Sequence, residues 1–319
     1  MTRSQTVIAW TLAAAGLAGA AHAQSTIFST NEPDLRMGAA ARAGNVNVVE
    51  TEAADDFPLA TDTRLTGATF IGLLPPGTPI TDVKQVVVRI YRLFPLDSDP
   101  ARPAQVPTRQ NSPADHAFAF RDSVDGTLTF SAVPQTPALM ALNSVVNGIN
   151  PSPAQTTLGE GPVTGDGVKI VVRFQTPIDL RAGHYFFAPQ VTLREGTFLW
   201  LSAPKPIVAP GTPFTGDLQA WVRSGRLSPD WLRIGTDIVG GAPAPTFNMV
   251  LKLEGASFCF ANCDESTVEP VLNVADFTCF LQQFAAGDRR ANCDQSNTPP
   301  VLNVADFTCF LQRFAAGCP

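Results

Sequence analysis

Over most of the first 255 residues, apolar and polar positions alternate with a period of two, as strands with one buried face do. Val86, Val88 and Ile90 interleave with Val87, Arg89 and Tyr91. Val168, Ile170, Val172 and Phe174 alternate with Lys169, Val171, Arg173 and Gln175, and Phe247, Met249, Leu251 and Leu253 with Asn248, Val250 and Lys252. Thr66 to Leu74 is an apolar run that stops at the turn signal Pro75-Pro76-Gly77. Ala117 to Asp122 and Thr127 to Ser131 bracket Val124-Asp125-Gly126, which predicts a hairpin. His184 to Leu193 and Thr197 to Ser202 are expected to form a strand pair. Residues 137–149 (PALMALNSVVNGI) are the best helical candidate in this part, while 95–113 and 159–167 are polar enough for loops. Eight to ten short strands with frequent turns predict a mainly β domain over 24–255, an antiparallel sandwich of jelly-roll-like type.

The pattern changes in the last sixty or so residues, where one segment is written twice. The copies span 261–287 and 291–317 within a module at 258–319, and differ at five of 27 positions: Glu265/Gln295, Thr267/Asn297, Val268/Thr298, Glu269/Pro299 and Gln283/Arg313. A fixed internal repeat of this kind marks a duplicated structural unit. Each copy opens with polar residues, Asn262, Asp264, Ser266, Asn273 and Asp276 in the first and Asn292, Asp294, Ser296, Asn303 and Asp306 in the second. Each then turns helical, with Phe277, Phe280, Leu281 and Phe284, or Phe307, Phe310, Leu311 and Phe314, on one face. Ala285-Ala286-Gly287 supplies the helix stop. Oxygen-bearing side chains at alternate loop positions, closed by an acid that opens a helix, suit a calcium ion.

Cysteine usage sharpens the division. All six cysteines lie between Cys259 and Cys318, in the short segment least able to bury a core of its own. Arg3, the apolar stretch Val7 to Ala20 and Ala21-His22-Ala23 predict an export signal at 1–23, hence a secreted, extracellular or cell-surface protein in which disulfides persist. That apolar stretch is too short to span a bilayer, and no other is long enough. A net charge of −6 without a basic stripe argues against nucleic acid as a partner.

Chemistry in the front domain is sparse. His116 and His184 stand without cysteines, and no G-x-S-x-G marks a nucleophile, so catalytic residues are assigned to none. Glu50, Glu52, Asp55 and Asp56 are read first as a solvated acidic loop and second as a calcium site. Glu160, Glu195 and Asp217 are the candidates for the paired acids of a glycosidase. Trp200, Trp221 and Trp231 are candidates for stacking on sugar rings, which would make polysaccharide a ligand.

The doubled L-N-V-A-D-F-x-x-F-L string, with its N-C-D start and its cysteines, resembles the dockerins, and most closely the cysteine-containing GC-type dockerins of secreted bacterial proteins. The resemblance covers about a fifth of the chain. It implies a small all-α, EF-hand-like module of two loop–helix halves, a calcium ion in each loop, and a tethering role through a cohesin-type scaffold or the cell envelope. It also implies partner contacts at Val274, Ala275, Leu281 and Gln282, and at Val304, Ala305, Leu311 and Gln312. The loops depart from the family in being about three residues longer, in lacking the usual glycine near Glu265 and Gln295, and in opening on Asn rather than Asp. Two carboxylates per loop predict weak calcium binding. Cys279 lies one turn after Asp276 and about 60° round the helix from it, which brings Cys263–Cys279 and Cys293–Cys309 within reach as symmetric pairs and leaves Cys259–Cys318 to join the ends. The crossed pairing, Cys263–Cys309 with Cys279–Cys293, stays open. The function expected is a secreted tethered protein with a non-catalytic sandwich; the alternative is a glycan-binding or polysaccharide-hydrolysing protein carried by the same module.

Overall fold

A computed structural model describes residues 25–30, 32–46, 48–149, 158–205, 219–240, 245–296 and 299–318. The expected export signal at 1–23 and Asp217 lie outside these residues. Strands run in chain order as β1 (Ser25–Ser29), β2 (Gly38–Ala40), β3 (Thr51–Leu59), β4 (Thr63–Leu74), β5 (Val83–Arg92) and β6 (Ala119–Asp122). They continue with β7 (Leu128–Pro134), β8 (Leu139–Ala141), β9 (Ser144–Val145), β10 (Val163–Leu180), β11 (Gly183–Leu193) and β12 (Leu199–Ala203). The last are β13 (Trp221–Ser224), β14 (Leu232–Gly235), β15 (Ile238–Val239), β16 (Asn248–Met249) and β17 (Leu251–Ser257), followed by helices α1 (Val274–Ala285) and α2 (Val304–Ala316).

Two sheets hold the strands. One is ten-stranded, with the path β1-β17-β4-β12-β2-β9, β10 branching from β4 with β7 and β8 on it, and β16 paired to β12. The other is seven-stranded, in the order β15-β14-β13-β3-β11-β5-β6. Pairing is antiparallel except for β2–β9 and β14–β15. Side chains of both sheets meet in one core: Phe70 of β4 packs on Phe187 of β11 at 6.1 Å, and Trp200 of β12 on the same Phe187 at 6.1 Å. Gly72 is required where β4 meets β12, since a Cβ there would lie 2.3 Å from the Leu199 carbonyl oxygen and from the Phe198 ring.

Several expectations need correction. Residues 137–149 hold β8 and β9 rather than a helix. Asn143 and Ser144 divert the backbone: Asn143 Oδ1 accepts from Ser144 N and Gly161 N, and the Ser144 hydroxyl donates to the Gly161 carbonyl. The turn at 123–126 joins β6 to β7, but these strands belong to opposite sheets, β6 on β5 and β7 on β10, so they do not form a hairpin. Likewise β11 and β12 are consecutive in the chain yet sit in different sheets. The expected loop at 159–167 gives way at Val163 to β10.

The acidic stretch is the largest departure. Residues 51–59 form β3, buried along its whole length, not a solvated loop. Its charges are met from distant parts of the chain. Glu52 accepts from Arg223 Nε at 2.6 Å, Tyr91 Oη at 2.7 Å and Arg89 at 3.2 Å. Asp55 Oδ2 accepts from Met249 N at 2.8 Å, and Asp56 bonds His184 Nε2 at 2.6 Å. Burial pushes both aspartic carboxyls up; the adjoining Asp56 reinforces this at Asp55, whereas His184 opposes it at Asp56.

Candidate functional site

The C-terminal repeat builds its two halves in the same way. Asn273 caps α1 by accepting from Ala275 N at 2.7 Å, and Asp276 returns the bond by accepting from Asn273 N at 2.9 Å. Asn303, Ala305 and Asp306 repeat this at α2, with distances of 2.8 and 2.9 Å. Asp276 and Asp306 are fully buried and reach back across their loops to accept from Asp264 N at 3.3 Å and Asp294 N at 3.1 Å. Asp264 Oδ1 accepts from Ser266 N at 2.9 Å and Asp294 Oδ1 from Ser296 N at 2.8 Å. Glu265 and Gln295 adopt φ of +57° and +56°, the left-handed conformation that glycine would take most easily.

Disulfides close each half on itself. The structure pairs Cys263 with Cys279 and Cys293 with Cys309, Cα atoms 5.8 Å apart in both, and Cys259 with Cys318 at 5.3 Å. The crossed pairing is thereby set aside, and no cysteine is free. Each 16-residue bridge contributes about 3 kcal/mol on a chain-entropy account. Between the halves, Phe280, Phe310, Ala291 and Cys293 make a small core to which Phe260, Phe277 and Phe307 pack.

Whether these loops suit calcium turns on their spare acceptors. Asn262 Oδ1 and Asn292 Oδ1 are buried and have no hydrogen-bond partner, in both copies alike. Their amide nitrogens are used, donating to the Ser266 and Ser296 carbonyls at 2.8 and 2.9 Å. An orphaned amide oxygen beside two aspartates offers a hard cation the kind of ligand it takes. Against this, the described residues hold no group of three or more His, Cys, Asp or Glu poised for a metal. Each loop thus offers one orphaned amide oxygen and two carboxylates that already accept backbone N–H bonds, a thin donor set for a hard cation.

The positions expected to touch a partner stand outside the small core. Val274 is 79% exposed and Val304 77%, Leu281 40% and Leu311 43%. Ala275, Gln282, Ala305 and Gln312 are exposed beside them. Leu281 and Leu311 thus leave the phenylalanine face to which their spacing assigned them.

The front-domain candidates fare differently. Trp200, Trp221 and Trp231 are at most 1% exposed, so none presents a ring to a sugar. Trp200 donates to the Val250 carbonyl at 2.8 Å within the intersheet core. Trp221 and Trp231 pack with Tyr91 and Phe186 on the other face of the seven-stranded sheet, with Arg223 4.2 Å above the Trp231 ring. Glu160 is engaged in a turn: burial would raise its carboxyl, but the N–H groups of Asn147, Gly148 and Val146 outweigh that and hold it low. Glu195 is exposed, as is His116, while His184 stacks on Phe186 at 5.5 Å and bonds Asp56.

What the sequence pattern did not show is a seam between the repeat and the sandwich. Asp62, between β3 and β4, is its hub: its carboxylate accepts from Arg181 at 2.8 Å, Arg313 at 2.6 Å and Ala182 N at 3.0 Å, and its carbonyl from Phe258 N at 3.0 Å. Arg181 lies 3.8 Å over the Phe260 ring and donates to the Cys293 carbonyl at 3.2 Å. Arg92 donates to the Gln295 carbonyl at 2.9 Å, and Arg64 pairs with Glu265 at 2.5 Å.

Comparison with protein-family models, curated proteins and solved structures finds no match to this chain. No helix among the described residues is long and apolar enough to cross a membrane.

Proposed function

We propose that this chain is a secreted protein whose dockerin-like C-terminal module tethers a jelly-roll-like, non-catalytic sandwich to a cohesin-type scaffold or to the cell envelope. The observation that carries this reading is a matched exposed surface. Val274 and Val304, and Leu281 and Leu311, are large apolar side chains left in solvent at the same place in both copies. Large apolar side chains left in solvent one helical face apart from the phenylalanine core are the kind of surface a partner buries. The three disulfides suit an oxidising, extracellular setting.

Calcium is part of the proposal. Asn262, Asp264 and Asp276, with Ser266 and Asn273 beside them, would hold one ion; Asn292, Asp294, Ser296, Asn303 and Asp306 would hold a second. A bound ion would neutralise the aspartates and stiffen the loops that set the helices. The test is calorimetric titration of the full chain with a purified cohesin domain, with calcium and with a chelator. Binding that is abolished in a Val274→Asp, Val304→Asp double variant supports the tether. An absence of binding under both conditions sinks it, and binding indifferent to the chelator removes calcium alone.

A further inference from the structure

The two copies are nearly the same in sequence, yet the sandwich meets them differently. At the loop of the second copy, Arg181 and Arg92 donate to the carbonyls of Cys293 and Gln295. Among the described residues, the loop of the first copy receives Arg64 alone from the sandwich, on the Glu265 side chain, which is 67% exposed. The difference shows in burial. Cys293 is 1% exposed, whereas Cys263 at the corresponding position is half-buried. Their bridge partners, Cys279 and Cys309, are half-buried alike, so the two bridges differ at the loop end alone.

Sequence differences between the copies fall where this asymmetry needs them. Of the five, three are the consecutive positions 267–269 against 297–299. The other two meet the sandwich: Glu265 faces Arg64 where the second copy has Gln295, and Arg313 reaches Asp62 where the first copy has Gln283. Exchanging the copies by a half-turn would place Gln283 against Asp62 and Gln295 against Arg64, with loss of both ion pairs. The seam therefore reads which copy is which.

We propose that the surface formed by Asp62, Arg92 and Arg181 is a specific docking site for the second copy, which fixes the module in one orientation. The second loop is a permanent joint with the sandwich, and the first loop is the side of the module open to solvent and to an incoming ligand. Nothing in this depends on the identity of the tether's partner or on a bound cation.

The test is partial reduction of the folded full chain with a small water-soluble phosphine, with differential alkylation and peptide mapping of the two bridges. Attack on a disulfide is governed by access, so Cys263–Cys279 should open about fivefold faster than Cys293–Cys309. Equal rates, or the opposite order, overturn the proposal. A second arm uses R313Q, which installs the residue the first copy carries at that position, combined with R181Q, which removes the side chain held against the Cys293 carbonyl. The ratio of the two rates should then fall towards one. A ratio that stays at the wild-type value would show that the module buries Cys293 by itself, and would overturn the joint. R313Q alone should give an intermediate ratio, which keeps the comparison available should the double variant fold poorly.

Discussion

Phe280 of α1 stacks on Phe310 of α2, ring centroids 4.1 Å apart and planes within 9° of parallel. They are the same residue of the two copies, and both are almost fully buried. The module therefore closes its core by placing the repeat against itself. Replacing Phe280 by Ala removes one side of the stack and should cost about 3 kcal/mol within the module. Hydrogen exchange of the α1 and α2 amides in the full chain should report this loss, while amides of β4 and β11 keep their wild-type protection.

Asp276 serves both the α1 cap and the loop, since it accepts from Asn273 N and Asp264 N. Asp276→Ala leaves two part-buried N–H groups without their acceptor and should lower stability by about 1 to 2 kcal/mol. Asp306→Ala should behave in the same way in α2. Calcium titration of each variant by calorimetry should show one site fewer than the parent.

Within the sandwich, Asp230 anchors the 93–118 segment through Arg102 at 2.5 Å and the Gln105 N–H at 2.7 Å. Removal of a buried partner strands the opposite charges, so Asp230→Ala should cost about 3 kcal/mol in urea unfolding. Burial opposes ionisation of Asp230, but Arg102, Gln105 N–H and Arg109 outweigh it and hold the carboxyl below its ordinary 3.8. A carboxyl lowered on folding contributes stability that is complete above its unfolded value and lost as pH falls through the folded one. Unfolding free energy should drop on acidification below about pH 4, and Asp230→Asn should flatten that part of the curve.

Gly72→Ala tests how closely β4 and β12 approach. The added Cβ would meet a carbonyl oxygen and an aromatic ring at 2.3 Å, neither of which can rotate out of the way. Overpacking of this kind should cost about 1 to 3 kcal/mol, read as a lower urea midpoint at unchanged slope.

Legibility in the sequence follows how local each feature is. The strands β5 and β10 and the two loop–helix halves declare themselves through periods of two and 3.6, because each period reports its own segment's buried face. Local helix geometry brings the disulfides of each half within reach, but the structure is what decides them against the crossed pairing. By contrast, β3 looks like a solvated acidic run because its partners are far away in the chain: Arg223 lies 171 residues from Glu52, and His184 128 residues from Asp56. Trp221 and Trp231 sit in polar surroundings in sequence, and their cover comes from residues distant in the chain, Tyr91, Phe186 and the returning 93–118 segment among them. Residues 137–149 misled because Asn143 and Ser144 bond across to the backbone of Gly161, a partner outside the segment. The seam at Asp62 is illegible for the same reason, being built from six separate stretches of chain.

β17 lies between β1 and β4, antiparallel to both, and runs directly into Phe258 and Cys259. Because Cys259 is bonded to Cys318, tension applied at the far end of the module bypasses the two helices and enters the sandwich along β17. Pulled lengthwise between two neighbours, that strand resists in shear, with its hydrogen bonds loaded together and not opened one at a time. Force entering through the module would therefore reach the centre of that sheet edge before it reached α1 or α2.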